Sequence, residues 1–115
     1  MTAGQGYEPV KISTAEVIDE EREPLFFIDE TEYTIPKRIR PNIVVQYLQD
    51  TYDKGQEFAL AAAMREVLGA DAMEALAECE AVTDEQMDQL MDIIERKLMA
   101  QMKRSLGNSR RGRRR

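Results

Sequence analysis

The sequence predicts a mainly α fold with a small N-terminal β-hairpin (α+β), three or four helices and disordered ends. Three observations carry that reading. Residues 83–106 hold Met87, Leu90, Met91, Ile94, Leu98 and Met102 at steps of three or four, one apolar stripe on a helix. Residues 25–35 hold a compact apolar run, a polar interruption and then strict alternation, the pattern of two short strands. Neither end of the chain has a sustained hydrophobic period.

In chain order, residues 1–23 read as a disordered acidic leader: Gly4, Gly6 and Pro9 are followed by Asp19, Glu20, Glu21 and Glu23. Residues 24–106 read as one hairpin-plus-helix domain. Leu25, Phe26, Phe27 and Ile28 should form the first strand and Tyr33 and Ile35 lie in the second, with a turn near Asp29 to Thr31. Phe26, Ile28, Tyr33 and Ile35 are the preferred inward set, although two adjacent phenylalanines leave the buried face open. Two strands alone are marginal, so helices or a partner must cover them.

Lys37, Arg38 and Arg40 read as a solvated connector in preference to a nucleic-acid patch. Pro41 can open a helix in which Ile43, Val44, Tyr47, Leu48 and Tyr52 share a face, and Gly55 stops or hinges it. Residues 56–68 repeat the helical pattern, with Phe58, Ala62, Val67 and Leu68 available for burial and Ala59, Ala61 and Ala63 allowing close approach. After Gly69 a shorter helix runs from about Asp71 to Cys79, with Met73, Leu76 and Ala77 as contacts. Thr83 caps the last helix and Gln86 completes a capping box, with Val82 placed to staple against Met87. Residues 107–115 read as a flexible basic tail.

The net charge of −6 conceals opposed halves. All 22 acidic residues lie at or before Glu95, where seven basic residues leave a balance of −15, whereas the last 20 residues carry nine basic and no acidic residues. The acidic body argues against nucleic acid as a partner, while Arg110, Arg111, Arg113, Arg114 and Arg115 make salt-dependent phosphate contact available at the tail.

Catalysis has little to work with. The chain has no His, and its single cysteine, Cys79, reads as a small packing residue because a nucleophilic thiol wants a base. No phosphate loop, dinucleotide fingerprint, zinc pattern or calcium loop is present, so no catalytic residue, metal or cofactor is expected. No run approaches the roughly 20 apolar residues of a spanning helix, and the chain reads as a soluble cytoplasmic protein.

The methionines are the more informative residues. Met64, Met73, Met87, Met91, Met99 and Met102 lie on or near helical faces, where this flexible side chain can fill a core or adapt to a partner's contour. Met64, Leu68, Met73, Leu76, Met87, Leu90, Met91, Ile94, Leu98 and Met102 are therefore candidates for packing or for partner capture, two roles that remain open here. A fold this small also leaves self-association open.

An ordered set of segments adds a resemblance. LFFIDETEYTIP (25–36), the helix containing Val44, Tyr47 and Leu48, MREVLG (64–69), ADAMEAL (70–76) and VTDEQMDQL (82–90) together resemble the small tail assembly chaperones of long-tailed phages infecting actinobacteria. The resemblance spans about residues 25–102. It implies a non-catalytic chaperone in the host cytoplasm that binds the hydrophobic, largely helical tape measure protein, aids tail tube assembly and is absent from the mature virion. It also implies recruitment of the tail tube protein through a longer frameshift product of the same gene. The rival readings are a small nucleic-acid-associated protein that uses its Arg-rich tail and a structural tail component.

Overall fold

The computed structural model describes residues 6–14 and 20–107. Strands β1 (Arg22–Ile28) and β2 (Thr31–Pro36) form an antiparallel hairpin, and α1 (Pro41–Lys54), α2 (Gln56–Leu68), α3 (Ala70–Glu78) and α4 (Asp84–Met102) follow, the last running into a π-helical turn, Lys103–Gly107. The α+β class holds, with four helices. The hairpin begins slightly earlier than its apolar run suggested, because Arg22 pairs with Pro36 and its guanidinium donates to the Thr34 carbonyl at 2.9 Å. Residues 6–14 of the leader are exposed and carry no strand or helix. The expectations placed on residues 1–5, 15–19 and 108–115 lie outside the described residues.

The hairpin resolves the question of the two phenylalanines. The register slips between Pro24 and Phe26, leaving Leu25 as an extra residue on β1. Such a bulge reverses the inward-outward phase. Leu25 and Phe26 both pack against the core, and Phe27 turns to solvent. Phe26 lies opposite Tyr33 and stacks on it with centroids 4.9 Å apart. Asp29 makes the tight turn at φ 55, a left-handed conformation that Asp tolerates better than most residues.

Two glycines punctuate the helices. Gly55 and Gly69 sit at φ 96 and 88, so one residue suffices to end each helix and start the next at a new angle. The amide of Gly55 donates to the Thr51 carbonyl and its own carbonyl accepts from Ala59. At the start of α4 the capping box is complete: the Gln86 amide donates to Thr83 Oγ1 at 3.1 Å and the Thr83 amide donates to Gln86 Oε1 at 3.0 Å.

The core joins Ile35 and Ile39 to Ile43, Val44 and Tyr47 of α1, Ala59, Ala63, Met64, Val67 and Leu68 of α2, Ala72 of α3, and Ile94 and Leu98 of α4. Small side chains at 59 and 63 let α2 close on its neighbours, as expected, but Ala61 faces out. Four other expectations are corrected. Leu48, Tyr52, Phe58 and Ala77 are exposed. The buried face of α1 is narrower than its apolar content, because α2 and α4 together cover only the arc through Ile43, Val44 and Tyr47. Thr51 closes that arc by donating to the Tyr47 carbonyl at 2.7 Å, and Phe58 instead receives the Lys54 ammonium at 4.7 Å from its ring centroid.

No helix among the described residues is long and apolar enough to cross a membrane.

Candidate partner-binding groove

The hairpin is tied to α4 at one end. Lys97, largely buried, donates to Glu23 Oε2 at 2.7 Å on β1 and to the Lys37 carbonyl at 2.9 Å just beyond β2. The hydrogen bond from Lys97, and then its charge, hold the Glu23 carboxyl below the ordinary carboxylate value; partial burial opposes this and Lys37 adds to it. From this clamp β1 runs toward its turn while α4 runs back toward its capped N-terminus.

Between the strand and the helix lies an open groove of about 380 Å³. One wall is Leu25, Phe26, Phe27, Ile28 and Asp29 of the hairpin; the other is Gln86, Gln89, Leu90 and Ile93 of α4. Leu76 and Cys79 from the end of α3, with Ala81 and Val82 from the connecting loop, close the floor. Along its α4 wall, from Gln86 to Ile93, the groove runs about 10 Å, enough for roughly two turns of a partner helix. The lining side chains are apolar apart from two glutamines and Asp29, the only charged lining residue, while polar atoms make up close to half of the exposed lining surface. The Gln86 side chain is already committed to the cap.

The residues expected from the sequence divide in two. Met64, Leu68, Leu90, Ile94 and Leu98 are buried in the chain's own core, with Ile94 and Leu98 at 0% exposure. The stripe that could have served packing or capture thus serves packing at its centre, and a partner of the folded chain cannot reach Ile94 or Leu98. Met73, Leu76, Met87, Met91 and Met102 are half-buried at the rim of the same core. Of the ten, only Leu76 and Leu90 line the groove.

Phe27, 60% exposed, and Ile93, 36% exposed, were not among the candidates, yet they form the two lips. The signal for Phe27 was the adjacent pair itself, since one of two neighbouring residues on a strand must usually point away from the core. Ile93 follows Asp92 and precedes the buried Ile94, off the centre of the stripe, which marks it as an apolar residue left over after the core is filled.

Residues 37–40 form a connector held by acidic neighbours. Arg40 pairs with Glu20 at 3.4 Å, Arg22 with the same carboxylate at 2.8 Å and Lys37 with Glu21 at 3.9 Å. The arginines of the tail, Arg110, Arg111, Arg113, Arg114 and Arg115, lie outside the described residues.

No protein-family model, curated protein or solved structure matches this chain.

Proposed function

We propose that this chain is a non-catalytic assembly chaperone of the phage-tail type, which shields apolar helical segments of a tape measure protein in the host cytoplasm and leaves before the virion is complete. The observation that carries the reading is the open groove with the exposed apolar side chains Phe27 and Ile93 on its lips. An amphipathic helix fits such a trough by laying in residues at i, i+3 or i+4 and i+7. The −15 balance of the first 95 residues gives the chain a like charge over most of its length, which keeps loaded complexes apart in solution. The ordered resemblance over residues 25–102 supplies the class of partner. Recruitment of the tail tube protein belongs, on this reading, to a longer frameshift product.

The test is co-expression of the full chain with the tape measure protein encoded beside it, followed by sedimentation at low and high salt. The expected result is a soluble complex that survives high salt and is lost on Phe27→Asp combined with Ile93→Asp. Cys79 offers a second readout, because it lines the groove and is the only thiol in the chain. Bound tape segments should slow its alkylation. Retention on DNA that falls with salt and with removal of residues 110–115, without a tape complex, would replace this reading with the nucleic-acid one. Recovery of the chain from purified virions in tube-like amounts would replace it with a structural role.

A further inference from the structure

The β1 wall of the groove is an open strand edge. Side chains of a strand alternate between its faces, yet five consecutive residues, Leu25 to Asp29, line this wall. β1 has β2 as its sole neighbour in the sheet, so about every second residue turns its N–H and C=O to the other side. Among the described residues, none from Glu23 to Ile28 makes a backbone hydrogen bond outside the hairpin. Such an edge is a template for a further extended segment, and a sheet of only two strands gains the most from one.

The chain carries a matching segment in its own leader. Val10 and Ile12 alternate with Lys11, the period of a half-buried strand, yet they are 85% and 86% exposed. Pro9, which cannot donate to a ladder, suits the outermost strand of a sheet. Residues 6–14 hold one acid, Glu8, and one base, Lys11, so this stretch is neutral, unlike the acidic run that follows it. It can enter the groove without bringing net charge.

Connectivity favours this occupant over a free one. The leader joins β1 at the strand's own start, where Glu20 pairs with Arg22 at 2.8 Å and Arg40 at 3.4 Å and the Glu21 carbonyl accepts from the Lys37 amide at 2.8 Å. From Glu20 to Leu25 is about 17 Å along the strand, and a chain the length of residues 13–19 reaches about 23 Å, enough to double back. The Lys97 clamp on Glu23 leaves the Leu25–Asp29 half of the edge as the place to dock. A tether this short holds the leader near the edge at an effective concentration of about a millimolar.

We propose that residues 9–13 are a strap that closes the groove, adding antiparallel to the open edge of β1 as a third strand with Val10 and Ile12 turned to the apolar lining. The structure holds the open form, with the strap in solvent. In the closed form the chain covers its own groove, and a partner segment must displace the strap to enter. That competition rests on the groove being the partner site, whereas the docking of the strap does not.

The docking is read on the full chain alone. Val10→Asp combined with Ile12→Asp, at sites already open to solvent, should keep the helical circular dichroism and speed alkylation of Cys79 on the groove floor. The rise is at least about twofold if the strap is closed half of the time or more. The β1 amides that face away from β2 should exchange faster in the same variant. Ile12→Cys should form an intrachain disulfide with Cys79 under mild oxidation, at a rate independent of protein concentration, and Tyr52→Cys on the exposed side of α1 should not. Equal alkylation and exchange with and without the two aspartates, or an Ile12→Cys bridge no faster than that of Tyr52→Cys, overturns the strap. Tighter tape binding by the double variant shows the competition. A strap that docks while both chains bind tape equally moves the tape site off the groove and leaves the strap standing.

Discussion

Leu98→Ala decides whether the α4 stripe is core. Leu98 is fully buried in the core cluster, one residue beyond Lys97 of the clamp. The substitution removes three carbons, a transfer loss of about 2.4 kcal/mol at ~0.8 kcal/mol per methylene. A residual cavity raises the cost to about 3–4 kcal/mol, and the better helix propensity of Ala returns only a few tenths. A fold of roughly 90 residues has about 4–13 kcal/mol in total, so the change takes a large share. Urea unfolding followed by circular dichroism should show the midpoint falling by about 2 M for an m-value near ~1.5 kcal/mol/M. Phe27→Gln is the control: it removes a larger side chain, but one 60% exposed at the groove lip, and should cost under about 1 kcal/mol. A loss below about 1 kcal/mol for Leu98→Ala, or equal losses for the two, would refute the assignment of Leu98 to the core and Phe27 to the surface.

The Glu23–Lys97 clamp predicts a pH dependence with a definite sign. Because the folded state lowers the Glu23 pKa from 4.5, its contribution is complete above that value and is lost as pH falls through the lowered one. Unfolding titrations of the wild type and Glu23→Gln should converge in acid and separate above pH 4.5. Thr83→Ala breaks the capping box and should lower stability by about 1 kcal/mol, with Thr83→Ser close to neutral in the same unfolding assay. Gly55→Ala places a side chain at φ 96 and ψ 162, a region occupied almost only by glycine, and should cost about 1–3 kcal/mol by thermal unfolding. Beyond its two chain neighbours no residue comes within 4 Å of the added Cβ, so that cost is backbone strain and not a clash.

Where an element's cause is local, the sequence was sufficient. The capping box at Thr83 and Gln86, Pro41 at the head of α1 and the glycines at 55 and 69 are each written in a few adjacent residues, and the helices begin and end there. The hairpin was legible for the same reason, since alternation and a polar turn are local. The use of each apolar face was not local. Val45, Leu48 and Tyr52 are as apolar as Ile43, Val44 and Tyr47, and only the docking of α2 and α4 chooses which arc of α1 is covered. The α4 stripe is periodic whether it fills a core or waits for a partner; burial of Ile94 and Leu98 in the core cluster, where α4 packs on α1, makes it core at the centre. The groove required still more. A bulge at Leu25 turns Phe27 outward, and the Lys97 clamp ties one end of β1 to α4 while the strand's other end borders the groove. Periodicity reports that a face must be buried, but what buries it depends on contacts between residues far apart in the chain, and those exist only once the chain has folded.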